Sequence, residues 1–258
     1  MKHPDIYTSI LQSAQNFLLL TKDTLKSEDK FIGSYHRNIQ ASVSIYCWFF
    51  SKNCPDLTIY SDSLSQERPL FARVPFPDGE KTALHQHNYL ELAYIVSGEF
   101  HQEISGTDFC FREGELIITN QDTPHCEYLV ETDCTILFLN IQNALFRTLF
   151  PDRGRKISAF ISDLLIEKKE SYSYLHFVPR VSGELRTPEI LQEIVREIRQ
   201  KEPGSVHILP GLLVRLFAYL AREYHFQLKK DAQEQLKLLL YHDIEEFIRQ
   251  NYQSVTIE

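Results

Sequence analysis

Two periods of apolar residues divide the chain. Between Leu84 and Ile141 short runs rich in β-branched and aromatic residues alternate with glycine and Asp or Asn turns, whereas after Ile141 apolar residues recur every three to four positions. The short runs are Tyr89 to Val96, Glu99 to Ile104, Phe109 to Phe111, Leu116 to Thr119 and Thr135 to Ile141. Ser97-Gly98, Ser105-Gly106-Thr107-Asp108 and Arg112-Glu113-Gly114 supply turns between them. Turn signals this dense, between runs this short, predict an antiparallel barrel or sandwich. Upstream, Ser42 to Phe50 and Leu57 to Tyr60 read as two further strands, joined by turn chemistry at Asn53, Pro55 and Asp56. Before them, the stripe of Ile6, Ile10, Leu11, Phe17 and Leu18 predicts an amphipathic helix across Asp5 to Leu20.

Helical stripes follow the β region. One comprises Ile157, Phe160, Ile161, Leu164 and Leu165; the next, Ile190, Leu191, Ile194, Val195 and Ile198, is opened by Thr187-Pro188, a capping residue and a first-turn proline. A third carries Leu209, Leu212, Leu213, Leu216, Phe217, Leu220 and Tyr224. A last helix is predicted from Asp231, with Glu234 as capping-box partner, through Leu236, Leu239, Leu240, Ile244, Phe247 and Ile248. The predicted fold class is α+β, an antiparallel β-barrel followed by amphipathic α-helices. The predicted divisions are a helical N-terminal segment over 1–40, the barrel over 41–145, a helical region over 146–230 and the final helix over 231–258.

Composition narrows the function classes. With 258 residues, 43% of them hydrophobic and 12% aromatic, the chain can fill a sizeable core. The 27 Lys and Arg against 35 Asp and Glu give a formal charge of -8, the wrong sign for neutralising phosphates over a broad face. No apolar run approaches the roughly 20 residues of a membrane span, and the N-terminus lacks the basic, apolar and cleavage regions of a secretory leader. The five cysteines show no paired spacing. A cytoplasmic protein with reduced thiols and no membrane partner is expected.

Candidate chemistry is concentrated in one stretch. In Leu84-His85-Gln86-His87-Asn88-Tyr89-Leu90-Glu91, the residues His85, His87 and Glu91 share parity, so extended backbone turns them to one side. Pro124-His125 adds a third imidazole. Three histidines and one carboxylate form a donor set suited to Fe, Mn, Ni, Cu or Zn, with room for water or a substrate. The plainer alternative is a group of side chains that hydrogen-bond one another or line a pocket. His101 either approaches this site or lies at the surface. Tyr89, Tyr94, Phe109 and Phe111 either stack on a ligand or fill the barrel. No nucleophile motif or phosphate-binding loop is present, so no catalytic residue is assigned.

These residues resemble the two-part cupin motif: His85, His87, Glu91 and Gly98 match its first part, and Gly114, Pro124 and His125 its second. Gln121-Asp122-Thr123 stands where the second part has a further glycine. The histidine-bearing first strand, the run Glu91-Leu92-Ala93-Tyr94-Ile95-Val96-Ser97-Gly98, the Pro124-His125 strand and the helices beyond are similar to the N-terminal half of AraC-type transcription regulators. Ile244 to Glu258, with its Asn251-Tyr252, resembles the opening of their DNA-binding domain. The resemblance implies a cupin double-stranded β-helix and a small-molecule effector, a sugar among the candidates, bound in the barrel. It also implies a homodimer formed through the helices, with Leu212 to Tyr224 in the interface, and DNA contacted only by a helix-turn-helix domain beyond this chain. In that case the chain is a truncated regulator and not an enzyme. The rival expectation is a cupin metalloenzyme, a dioxygenase or a sugar isomerase, with His85, His87, Glu91 and His125 as ligands.

Overall fold

The computed structural model describes residues 6–14, 17–19, 41–76, 81–82, 84–121, 123–128, 133–150, 174–180 and 185–227. Chain order gives α1 (Ile6–Gln12), β1 (Leu18–Leu19), β2 (Val43–Ser51), β3 (Cys54–Ser63), β4 (Leu70–Pro75), β5 (Leu90–Ser97), β6 (Glu99–Ile104), β7 (Thr107–Arg112), β8 (Leu116–Thr119), β9 (His125–Tyr128), β10 (Cys134–Ile141), α2 (Asn143–Leu149), β11 (Tyr174–Pro179), α3 (Thr187–Gln200), α4 (Ser205–Glu223) and β12 (Tyr224–Gln227).

The strands form two sheets, one of nine strands in the order β1-β4-β3-β2-β10-β5-β8-β11-β12 and one of three in the order β7-β6-β9. The predicted α+β architecture is present, among the described residues as two facing sheets and not a closed ring. Both faces of the large sheet are buried, which explains why β2, β5 and β10 read as nearly continuous apolar runs. Alternation along each strand sorts its residues. Ala93 and Ile95 of β5, Ile136 and Phe138 of β10 and Ile117 of β8 pack against Phe100, Ile104 and Phe111 of the small sheet. Leu90, Leu92 and Tyr94 of β5, Leu137, Leu139 and Ile141 of β10 and Leu116 and Ile118 of β8 pack on the other side, against the helices.

The helical layer is built from the predicted stripes. Ile190, Leu191, Ile194, Val195 and Ile198 of α3 and Leu209, Leu212, Leu213, Leu216, Phe217 and Leu220 of α4 are buried in the same core. Side chains such as Leu213, Leu216 and Leu220, fully enclosed there, each contribute about 1.5–3 kcal/mol relative to exposure. Within Leu212 to Tyr224 the stripe Leu212, Leu213, Leu216, Phe217, Leu220 and Tyr224 is buried, and the exposed apolar positions of α4 are Val206, Ile208 and Val214. By length and composition α4 is also apolar enough to cross a membrane, and its apolar stripe is packed in the core beneath the sheet.

The start of α3 is closed from the end of α4. One oxygen of Glu223 accepts hydrogen bonds from the backbone N–H groups of Arg186 (3.0 Å) and Thr187 (3.0 Å) and from the Thr187 hydroxyl (2.8 Å). A carboxylate is favoured at a helix N-terminus, where backbone donors lack partners. At the other end, the Lys201 ammonium donates to Asp62 of β3 at 2.8 Å.

Several expectations are corrected. The N-terminal helix ends at Gln12; the Ser13 hydroxyl donates to the Ile10 carbonyl at 2.8 Å, and Leu18 and Leu19 pair in parallel with Ala72 and Arg73. Helix α4 stops at Glu223, and Tyr224 begins a strand. Strands β4, β11 and β12 were not predicted. The stripe Ile157 to Leu165 and the helix expected over 231–258 lie outside the described residues. Among the described side chains, Cys47, Cys110, Cys126 and Cys134 are not joined in disulfides.

Candidate metal centre

Three segments bring the site together on the inner side of the sandwich. The backbone of His85 bridges that of His125, each N–H donating to the other's carbonyl at 2.9 Å. Strand β9 turns His125 and Glu127 inward, β5 turns Glu91 inward, and His87 reaches in from the segment before β5. Glu91, His125 and Glu127 are all buried, with His85 at the rim.

The donor atoms converge. His87 Nε2 is 3.5 Å and His125 Nε2 3.7 Å from the same oxygen of Glu91; His85 Nε2 is 3.6 Å and His125 Nε2 3.5 Å from one oxygen of Glu127. Either His85, His87 and His125 or Glu91, His125 and Glu127 have one ligand atom each within 4.8 Å of one another. Two donors about 2.1 Å from one ion lie roughly 3.0–3.4 Å apart at tetrahedral or octahedral angles, so these edges are a metal polyhedron opened by a few tenths of an ångström.

The imidazoles are oriented from behind. His125 Nδ1 lies 2.8 Å from the Thr123 carbonyl and His87 Nδ1 3.2 Å from the Tyr89 carbonyl. A carbonyl only accepts, so it holds the proton on Nδ1 and leaves Nε2 toward the site, the arrangement metal-binding histidines use. His125 Nε2 is buried without a hydrogen bond among the described residues, and Glu127 is held by the Thr82 hydroxyl (2.7 Å) and the Gln102 amide (3.3 Å). The residues therefore fit a divalent ion, with up to three nitrogens and two carboxylates available.

Charge coupling is strong even without an ion. Burial alone pushes the Glu91 carboxyl up, yet the His87 and His125 imidazoles beside it hold it well below the usual carboxylate range. Burial pushes His125 down, but its pairing with Glu91 and Glu127 prevails and raises it to about 9.

The ligand-binding expectations divide by strand parity. Tyr89 stacks on His87, ring centroids 4.2 Å apart and 8° from parallel. Tyr94 belongs to the opposite face of β5, in the helix-side core, because it is three residues from Glu91 on an alternating strand. His101 lies on the outer face of the small sheet against Tyr128, at 5.1 Å; the Gly98 turn resets parity, and Gln102 is the inward residue. Phe111 fills the apolar core with Phe100, and Phe109 packs on Tyr174. Glu127 and Gln102 were missed, although His125 and Glu127 share parity two residues apart.

Residues 72–140 match the family described as Cupin domain, so the chain contains a cupin domain over that span. No curated protein matches the chain by sequence. Among solved structures, KdgF from Halomonas sp. is 20% identical with a TM-score of 0.25, over 38% of this chain and 77% of its own. The DMSP lyase DddQ from Ruegeria pomeroyi DSS-3 is 18% identical with a TM-score of 0.24, over 33% of this chain and 36% of its own. ToxT from Vibrio cholerae O395 is 12% identical with a TM-score of 0.37, over 71% of this chain and 56% of its own.

Proposed function

We propose that the cupin domain is the small-molecule sensor of an AraC-type, DNA-binding transcription regulator that works in the cytoplasm as a homodimer. The observation that carries this reading is a shared sheet. The strands β5 and β10 that line the site on one face support α3 and α4 on the other, and Ile244 to Glu258 beyond these helices resembles the opening of a DNA-binding domain. Residues 41–145 are the sensor and 146–230 the dimerising helices, with 231–258 leading into the DNA-reading units.

His85, His87, Glu91, His125 and Glu127 would hold a divalent ion, Zn, Ni, Mn or Fe, which when bound supplies a Lewis-acidic position for an oxygen of the effector. Thr123 and Tyr89 fix the imidazoles through their carbonyls, and Thr82 and Gln102 fix Glu127. Burial excludes water from the carboxylates. Effector binding acts on DNA only if it favours one arrangement of sheet and helices over another, since equal affinity shifts nothing. In this reading the chain is not an enzyme.

The test fuses the chain to a DNA-binding headpiece that occupies its operator only as a dimer. Repression that changes when small molecules are supplied, and that is lost with Glu91→Gln, supports the sensor. Absence of repression under every condition contradicts it. A second reading, a cupin metalloenzyme, is favoured by the full set of nitrogen and carboxylate donors; turnover of a small substrate by metal-loaded protein, abolished in His125→Ala, would establish it.

A further inference from the structure

The inner face of the large sheet carries a row of polar residues, of which the metal cluster uses only Glu91. Register pairs join Ser63 of β3 to Ser44 of β2, Ser44 to Asn140 of β10, Asn140 to Glu91 of β5, and Glu91 to Thr119 of β8. All five are buried. In the next row Ser61, Tyr46, Phe138, Ala93 and Ile117 stand side by side, and beyond it Ile59, Trp48, Ile136 and Ile95. On β10, β5 and β8 the polar positions of this face are therefore Asn140, Glu91 and Thr119, at the end of the sandwich where His87, His125 and Glu127 meet Glu91, and apolar residues follow.

Asn140 stands at the centre of this row. It is 4% exposed, and neither its amide oxygen nor its amide nitrogen has a hydrogen-bond partner among the described residues. Cross-strand neighbours on one face have Cβ atoms about 4.5–5.5 Å apart, which places the amide beside the Glu91 carboxylate on one side and Ser44 on the other. Buried amides are nearly always satisfied. An amide left unmade at both ends, next to a metal-capable cluster, calls for a partner that the described residues do not supply.

We propose that Asn140 is a ligand-contacting residue, and that the ligand is a small, neutral, polyhydroxylated molecule such as a sugar or polyol. The proposal rests on reading the sandwich as the sensor site and names the class of effector. A hydroxyl both donates and accepts, so adjacent hydroxyls match the two ends of an amide; a carboxylate group offers acceptors only. Charge points the same way. The charged partners of Glu91 and Glu127 are histidines, and a divalent ion is offset by these two carboxylates. An anionic ligand would lie against buried negative charge with no Lys or Arg to pair with among the described partners of the cluster.

The experiment titrates the full chain, zinc-loaded, with D-glucose, D-galactose, D-xylose and myo-inositol, and with D-glucuronate and D-galacturonate, by calorimetry. At least one neutral probe binds, and the acids bind at least tenfold more weakly. Asn140→Leu, which keeps the volume and removes both polar atoms, weakens the neutral probe at least tenfold; Asn140→Ser serves if that variant does not fold. Zinc affinity, measured in the same samples, separates loss of ligand from loss of fold. Neutral binding indifferent to Asn140 overturns the assignment, and tighter binding of the acids overturns the ligand class; both leave the sensor reading standing. If no neutral probe binds, the inference is overturned, and the headpiece fusion decides the sensor reading separately.

Discussion

Glu91 and Leu92 are consecutive residues of β5 that face opposite layers: Glu91 joins the histidine cluster inside the sandwich, and Leu92, fully buried, joins the core beneath the helices. A change in how Glu91 is held is one peptide unit away from the surface on which α3 and α4 rest. Close-packed cores transmit such shifts because they have no slack in which to absorb them.

The donor set makes a graded prediction. His125→Ala lowers zinc affinity by at least about 100-fold, since it removes the imidazole common to both ligand groups. Glu127→Gln lowers it by roughly 10-fold or more, a carboxylate loss comparable to removing a strong supporting partner. Competition with a chromogenic chelator measures both. Unchanged affinity in Glu127→Gln would place that carboxylate outside the site.

Stability of the metal-free protein depends on pH in two opposed ways. His125 is raised from 6.5 to about 9, so its contribution is complete below about 6.5 and is lost as pH rises toward 9. Glu91 is lowered from 4.5, so its contribution is present above that value and is lost as pH falls. The pair stabilises the fold most fully between about pH 4.5 and 6.5. Zinc must displace the His125 proton, so zinc affinity rises with pH up to about 9. Urea midpoints of the metal-free protein from pH 5 to 9.5 should fall on the alkaline side, and His125→Gln should flatten that limb.

Glu223 should matter for stability far more than its place at a helix end indicates. Glu223→Ala removes the acceptor of three hydrogen bonds at the start of α3, at a cost of about 2–4 kcal/mol. Glu223→Gln keeps an acceptor and costs about 1 kcal/mol. Equal urea midpoints for the two variants would show that the capping geometry contributes nothing.

Gly98 is required by its surroundings. At φ +79°, a Cβ there would lie 2.0 Å from the Asp133 carbonyl oxygen. Gly98→Ala should cost about 2–3 kcal/mol or more, through backbone strain and displacement of the β9–β10 connection. A thermal midpoint equal to that of the parent protein would contradict this.

Much of this was legible in the sequence because it depends on local periodicity. Strands β5 to β8 and β10, and helices α3 and α4, follow from alternation and stripes that the fold buries directly. Parity likewise grouped His87 with Glu91, and it would have excluded Tyr94, which is an odd number of residues from Glu91. What failed depends on pairing between distant segments. Leu18 and Leu19 continue a helical stripe by sequence, yet pair with β4; β11 and β12 lie among helical stripes and become strands by pairing with β8 and with each other across distant segments. His101 faces outward because the turn at Gly98 resets the count. Glu127 shares parity with His125, but Thr82, Gln102 and His85, which hold it in the site, reach it from other segments.

In the sensor reading, occupancy of the cupin site is felt across the large sheet in the helices. Amide hydrogen exchange, followed while zinc is titrated into the metal-free protein, tests it most directly. Protection changes in Leu191 to Ile198 and Leu212 to Leu220 that share the zinc midpoint of β5 and β9, and that vanish in Glu91→Gln, are the predicted result. Zinc binding with changes confined to β5, β9 and their sandwich neighbours would contradict it.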